Sequence, residues 1–206
     1  MAITTNVERN RALNTFPGVQ RRALLTMFGD PLEGNGLPNG ATVTASESRQ
    51  GAIRQTTLRL TATPQAVVNG TEYQGTKIFD FPEGQILVMG CVGSIAQTTT
   101  SDLTATLNAS VTGALALGTA TASNVSLTST MANIAPSIAF TSSATINVAG
   151  TAVVPFLAAP VLINGTGTAA DLYINTAYAT TGDVDADATQ TLTGTIIITW
   201  MNLADQ

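Results

Sequence analysis

The sequence contains no histidine and one cysteine, and these absences exclude several kinds of chemistry. A Ser-His-Asp triad needs a histidine as its general base. Zinc sites built from His and Cys need more of these ligands than the chain has, and an intrachain disulfide needs a second cysteine. Cys91 lies in an apolar stretch with no cation nearby in sequence, so we expect an inert core thiol. The sequence therefore predicts a protein that is not an enzyme.

Other catalytic and nucleotide-binding motifs are also missing. Lys77 is the only lysine, and it does not stand in a Gly-x-x-x-x-Gly-Lys-Ser/Thr loop. The stretch "GNGLPNG" at 34–40 has the wrong glycine spacing for a nucleotide loop and predicts a plain loop. Asp80 and Glu83 are the nearest pair of carboxylates for a glycosidase, but aromatic residues make up only 5% of the chain. We therefore do not favour a glycosidase.

Charge is scarce and unevenly placed. Charged residues are 10% of the chain, against about 25% in ordinary globular proteins. All eight Lys and Arg lie within residues 1–77, whereas residues 78–206 contain acids and no base. The small basic excess of the first part is too low to indicate nucleic-acid binding. A nearly neutral surface favours a protein whose neighbours cover it in an assembly.

The chain has no apolar run of 18 or more residues, so no membrane span or membrane partner is expected. Its longest apolar piece, 151–163, is interrupted by Pro155 and Pro160. The first residues, "MAITTNVERNRALNTF", lack the apolar run of a secretory signal. We expect a soluble protein that is made in a cytoplasm and not secreted.

Residues 1–50 predict an extended N-terminal arm, with one short amphipathic helix at about 18–28. The helix is followed by a loop rich in Pro and Asn-Gly. Arg21 and Arg22 lie on the side of this helix that is predicted to face solvent. Its apolar side is a candidate partner-binding surface made of Val19, Leu24, Met27 and Phe28. The alternative is that this helix packs on its own domain.

Residues 51–206 predict one mainly β domain, because the apolar period changes to two. Thr56, Leu58 and Leu60 share one predicted face, and "DLTATLNASV" at 102–111 alternates strictly. The last strand places four apolar residues on one face: Leu192, Ile196, Ile198 and Trp200. About eight to ten strands with turns between them indicate an antiparallel β-sandwich or jelly roll.

Turn and burial patterns give finer predictions for this domain. Asn69-Gly70 and Asn164-Gly165 each stand between β-forming runs and predict tight hairpins. The stretch "GQILVMGCVGSIA" at 84–96 is nearly all apolar and predicts a central strand that is buried on both faces.

Asp183, Asp185 and Asp187 form an acidic triplet before the last strand. Carboxylates at alternating positions are a plausible start for a calcium site. An EF-hand counted from Asp183 would need Gly and Glu where the chain has Ala188 and Gly194, so that loop is excluded. A solvated acidic turn is the favoured interpretation, and calcium is the alternative. No other cofactor is expected.

Four stretches resemble structural proteins of tailed-bacteriophage virions, several of which are head decoration or cement proteins. They are "FPEGQILVMG" at 81–90, "LGTATA" at 117–122, "MANIAPS" at 131–137 and "LTGTIIITWMNLAD" at 192–205. The resemblance implies a non-enzymatic protein that binds the outside of an icosahedral capsid and stabilises contacts between capsomers. Its partners would be the major capsid protein and copies of itself, in a trimer or other symmetric cluster. Its place would be the virion, after synthesis in the host cytoplasm.

Two alternatives remain open at this point. The chain could be another virion component, such as a major shell, tail tube or head fibre protein. From a different class, it could be a carbohydrate-binding or adhesin β-sandwich, which would need an exposed aromatic patch.

Overall fold

The computed structural model describes residues 36–50, 52–99, 112–141, 150–154, 160–178 and 187–203. These residues form eleven strands and one three-residue 3-10 turn, Ser129–Met131. The strands are β1 Leu37–Pro38, β2 Val43–Gln50, β3 Ile53–Val67, β4 Tyr73–Asp80, β5 Gly84–Thr99, β6 Thr112–Gly118, β7 Ala135–Thr141, β8 Gly150–Val154, β9 Val161–Gly165, β10 Asp171–Tyr178 and β11 Ala188–Asn202. In these residues no helix is long and apolar enough to cross a membrane.

Two antiparallel sheets make up the described fold. Sheet A has the strand order β1-β4-β10-β6-β7. Sheet B has the order β2-β3-β11-β5-β8, and β9 pairs with β5 beside β8. The mainly β, antiparallel sandwich predicted from the period-two pattern is thus confirmed.

The core lies between the two sheets and follows the alternation of the long strands. Leu58 and Leu60 of β3 are buried there, as the sequence predicts. The four apolar residues predicted on one face of β11 are all fully buried as well. Trp200 meets Phe81 edge to face at 5.5 Å between ring centroids, and Phe81 meets Phe79 in the same way at 5.1 Å. Such edge-to-face pairs add to the stabilisation that burial already provides.

Strand β5 is central in sheet B but is not buried on both faces. Its inward residues, including Ile86 and Val88, are fully buried, whereas outward residues such as Leu87 and Val92 are only half-buried. The prediction of two buried faces was wrong, because the outer side of sheet B lacks a packed layer in the described residues. Cys91 faces inward and is buried, and burial raises the pKa of its thiol to about 12. The predicted core position of Cys91 is thus confirmed, and a thiol with a raised pKa stays protonated at neutral pH, which disfavours attack by sulfur.

Asn69-Gly70 forms a turn, whereas Asn164-Gly165 ends strand β9 and the bend follows it at 166–168, and neither step forms a hairpin. Asn69-Gly70 connects β3 in sheet B to β4 in sheet A, and Asn164-Gly165 precedes the crossing from β9 in sheet B to β10 in sheet A. Thr71 N–H donates to the Val68 carbonyl at 2.9 Å, which closes the first turn. The turn at Asn69-Gly70 was predicted correctly, whereas the second turn begins after Asn164-Gly165 and both hairpin pairings were wrong, because long-range partners decide which sheet the next strand joins.

The sheet begins before residue 51. Val43–Gln50, which the sequence assigned to the arm, pairs with β3 in a regular antiparallel register from Val43↔Leu60 to Gln50↔Ile53. The predicted boundary therefore falls within a strand pair. The predicted helix at about 18–28, with Val19, Leu24, Met27 and Phe28, lies outside the described residues, and so does the stretch 102–111.

Candidate functional site

One group of charged side chains in the described residues surrounds Lys77 on β4. Its Nζ lies 2.5 Å from Asp80 Oδ1 and 2.9 Å from Asp171 Oδ1. Tyr173 O–H donates to Asp171 Oδ2 at 3.0 Å. Asp80 and Asp171 are direct partners across β4 and β10, so the pairing of these strands brings the two carboxylates together.

The electrostatics of this group favour an ionic clasp and not a catalytic centre. Burial, and then the neighbouring Asp171, raise the pKa of Asp80. Burial also acts to raise the pKa of Asp171, but hydrogen bonds from Lys77, Asp80 and Tyr173 outweigh it and lower that pKa. Hydrogen bonds to both carboxylates raise the pKa of Lys77. Lys77 therefore stays an ammonium ion, which is neither a nucleophile nor a base.

The pair Asp80 and Glu83 does not form a two-carboxylate site. Asp80 is held by Lys77, whereas Glu83 lies exposed at the corner before β5. The backbone carbonyl of Glu83 accepts a hydrogen bond from Asn202 Nδ2 at 3.0 Å. Its place is thus structural, at the junction of the two sheets.

Of the acidic triplet, only Asp187 lies within the described residues. Its Oδ1 accepts a hydrogen bond from the backbone N–H of Asn69 at 2.8 Å, so this exposed carboxylate caps the β3–β4 turn. The part of the chain that the structure describes contains no group of three metal-ligating side chains. Asp183 and Asp185 fall outside it, and calcium binding by the triplet stays a prediction.

A long connection between β6 and β7, residues 119–134, lies against the outer face of sheet A. We call it the cover segment. Its apolar residues Ala122, Leu127 and Met131 are buried and pack on Ala116 and Ala177 of the sheet. This second apolar cluster lies on the opposite side of sheet A from the core, so the sheet is packed on both faces here.

Asn175 holds the cover segment on the sheet. Its side chain is 0% exposed. Its Nδ2 donates to the carbonyls of Ala120 and Met131 at 2.9 and 2.8 Å, and its Oδ1 accepts from the N–H of Ala122 at 2.9 Å. The stretches "LGTATA" and "MANIAPS" thus meet around one buried amide. Sequence reasoning missed Asn175, although its position within an apolar strand was a signal.

The inner layer also contains polar groups that the sequence pattern did not flag. Arg54 is only 2% exposed, lies 4.9 Å from the centroid of the Trp200 ring and approaches Glu47 Oε1 at 3.7 Å. At the other end of the sandwich, Gln97 donates to Tyr178 Oη at 3.2 Å and to Gln190. These residues occupy inward positions of their strands, so strict alternation could have found them.

The outer face of sheet B differs from that of sheet A. Four apolar residues on four adjacent strands stand in one register row, Ile53–Met201–Leu87–Leu162. Ile53 is 40% exposed and Leu162 is 59% exposed, while Leu87 and Met201 are half-buried. We call these four residues the apolar row.

The rest of this face bears hydroxyl and amide groups. Strand β2 presents exposed Thr44, Ser46, Ser48 and Gln50, and Arg59 is the one charged side chain at the described outward positions of β2, β3, β5, β9 and β11. A shallow groove of about 190 Å³ lies between Ser48, Gln50, Ile53, Gln55 and Thr199. The face is therefore a broad, nearly uncharged surface that can bind by shape, hydrogen bonds and apolar contact.

No family model matches the chain, and no curated protein matches it. Chains in two structures of infectious bursal disease virus are similar to it. The chain of the Gx strain is 10% identical over 71% of this chain and 32% of its own length, with a TM-score of 0.34. The chain of the Gt strain is 11% identical over 80% and 30%, with a TM-score of 0.26. The matches span about a third of those viral chains, and such scores establish no shared function.

Proposed function

We propose that this chain is a non-enzymatic structural protein of a virion, which binds the outside of an icosahedral shell and stabilises contacts between capsomers. The observation that carries the proposal is the outer face of sheet B, which is wide, regular and nearly free of charge. The resemblance of four stretches to phage head proteins adds support. A protein that stabilises a shell in this way needs a rigid binding surface and no catalytic groups.

The size of this face is sufficient for a specific interface. Strands β3, β5 and β11 have 15, 16 and 15 residues, which is about 50 Å of extended chain. Five strand positions at about 4.8 Å make a width of about 24 Å. Because the edge strands β2, β8 and β9 have only 8, 5 and 5 residues, the face covers about 1,000 Å², whereas a standard interface uses about 800 Å² per partner. On a repeating shell, several such contacts made by a symmetric cluster would reinforce one another.

A carbohydrate-binding sandwich has less support among the described aromatic residues. Trp200 and Tyr178 are fully buried, and Tyr173 donates to Asp171. A stacking platform for sugar rings would need such rings at the surface. Another virion role, in a shell, tail tube or head fibre, remains the alternative that the experiments below separate.

The first test is mass spectrometry of purified particles, with the copy number of the chain per particle. Several hundred copies are expected for a decoration protein on a shell. A few copies would indicate a tail or fibre role instead. Absence of the chain from purified particles would overturn the virion proposal.

A second test locates the binding surface. Purified protein is mixed with undecorated shells, and binding is measured by co-sedimentation. Thr57→Glu places a charge in the middle of the outer face of sheet B, and we expect affinity to fall at least about tenfold because the charge must be desolvated. Ser126→Glu, on the exposed part of the cover segment, is the matched control and should bind normally. Equal binding by both variants would contradict the assignment of this face.

A further inference from the structure

The apolar row leaves apolar side chains partly exposed to solvent on the outer face of sheet B. Exposed apolar residues are normal when they are isolated, but here exposed Ile53 and Leu162 are joined across β3, β11, β5 and β9 by half-buried Met201 and Leu87. A contiguous apolar patch with a polar rim usually marks a contact surface. On sheet A the cover segment packs on the outer face, whereas on sheet B the described residues leave the row open.

The chain preceding Gly36 arrives at the same end of the sandwich as the row. Leu37 pairs with Asp80, so Gly36 lies beside Phe81, at the corner where β4 leads into β5. Leu87 follows only a few residues after that corner and belongs to the row. At this end Gln50 also pairs with Ile53, the member of the row that is nearest the β2 edge.

The distance between Gly36 and the row is within reach of the N-terminal residues. Eight peptide steps separate Phe28 from Gly36, and they span about 26 Å when extended. Packed sheets are about 10 Å apart and neighbouring strands about 4.8 Å apart. A path around the β2 edge to Ile53 is therefore short enough.

The size and chemistry of the predicted helix also fit. Four strands side by side make the row about 14 Å long, and the eleven residues of the predicted helix make about 17 Å. The predicted apolar side holds Val19, Leu24, Met27 and Phe28, and Arg21 and Arg22 lie on the predicted solvent side. We infer that residues 18–28 of the same chain pack on the apolar row in the isolated protein. This inference does not depend on the proposed virion role.

The tether favours the chain's own segment over a second copy. A segment joined by a short linker has an effective concentration in the millimolar range. A second molecule at micromolar concentration would need about a thousandfold higher intrinsic affinity to compete. Covering the row from within the chain would also limit association between free molecules before they meet a partner.

Cysteine crosslinking tests the position directly in the full chain. Met27→Cys combined with Ile53→Cys is treated with a short bismaleimide, while buried Cys91 remains as an unreactive background. We expect a crosslink within one molecule, seen as a peptide pair in a band of monomer mass. The control pairs Met27→Cys with Thr44→Cys, which lies on the same face at the other end of β2, and it should crosslink poorly.

Two outcomes of this experiment would overturn the inference. A crosslink found only between two molecules would assign the row to a second copy. Absence of a crosslink for the Ile53 pair, or an equal yield for the Thr44 pair, would show that the segment does not lie on the row.

An apolar dye, 1-anilinonaphthalene-8-sulfonate, gives an independent readout. Met27→Asp should release the segment and raise dye fluorescence several-fold, whereas the adjacent change Thr26→Asp should leave it near the level of the unmodified chain. Adding Leu162→Ser to Met27→Asp should reverse most of the rise, since the dye would then lose part of the row. Equal fluorescence for Met27→Asp and Thr26→Asp would overturn the inference.

Discussion

At the scale of single residues, Asn175 joins the cover segment to sheet A through three hydrogen bonds. One buried amide satisfies two carbonyls and one N–H of the cover segment. Removing one partner of a buried hydrogen bond leaves the others unsatisfied, at about 1–3 kcal/mol each. Asn175 therefore stabilises the packing of the cover segment on sheet A.

Asn175→Ala should lower the free energy of unfolding by about 2–4 kcal/mol, because three backbone groups lose their partner. Urea denaturation measures the change. Asn164→Ala is the matched control, since the exposed Asn164 side chain accepts hydrogen bonds from Thr166 two residues away, and it should cost less than about 1 kcal/mol. Equal losses for both variants would contradict the assigned role of Asn175.

The Lys77 clasp should make stability depend on pH. The lowered pKa of Asp171 adds stability above the unfolded value of about 3.9, and this is lost as the pH falls through the lower folded pKa. The raised pKa of Asp80 acts in the opposite sense, because its contribution is present below the unfolded value and is lost as the pH rises through the folded one.

Lys77→Met should therefore destabilise the fold more at pH 7 than at pH 3. The expected loss at pH 7 is at most about 1 kcal/mol, because the pairs are partly exposed to solvent. Urea denaturation at the two pH values measures it, with Arg59→Met as the control on an exposed strand position. A loss that is the same at both pH values would show that packing, and not charge, explains the effect.

At the scale of elements, the alternation of apolar residues predicts which face of a strand is buried, whereas turn residues predict a bend but not the strand pairing that follows it. The burial of Leu192, Ile196 and Trp200 on one face of β11 was predictable, because a period of two is a local property. The bends at Asn69 and Asn164 were also local. Their connections across the two sheets were not, because neither turn specifies a strand's partner. Asp187, distant in sequence, even helps to hold the Asn69 turn.

The cover segment gives the clearest test at this scale. A Cβ at Gly118 would fall on the backbone of Thr130 and Met131. Gly118→Ala should therefore displace the segment, with a loss of about 1–3 kcal/mol and faster proteolysis within 119–134. Gly167→Ala is the control, because a Cβ there meets nothing within 4 Å. Unchanged proteolysis of Gly118→Ala would mean that the segment has another way to pack.

The acidic turn before β11 is expected to be a solvated turn. Asp187 already uses one carboxylate oxygen to accept the Asn69 N–H. We therefore expect the same melting temperature in calcium and in EDTA, measured by calorimetry, with magnesium as the control ion. A rise of several degrees in calcium alone would instead establish a structural site that includes Asp183, Asp185 and Asp187.

At the scale of the whole molecule, the two outer faces have different environments. The sequence predicted a protein with little charge that neighbours would cover, but it could not locate the face. The apolar row joins positions 53, 87, 162 and 201. Only the register of four strands makes them adjacent, and no local pattern contains that register. In the same way, the pairing of β2 with β3 could not be foreseen from the loop-like residues before it.

The nearly uncharged outer face of sheet B predicts how shell binding responds to salt. Coulombic contacts weaken when the Debye length shortens from about 10 Å at 0.1 M salt to about 3 Å at 1 M, whereas apolar and hydrogen-bonded contacts do not. Sulfate strengthens apolar burial. We therefore expect co-sedimentation with shells to change less than about threefold across this range of sodium chloride, and to strengthen in sodium sulfate.

Arg59→Ala, which removes the charge described on this face, should leave the salt response unchanged. A tenfold loss of binding at high salt would show that charged groups such as the Lys77 cluster carry the contact, and would move the binding surface from sheet B to sheet A.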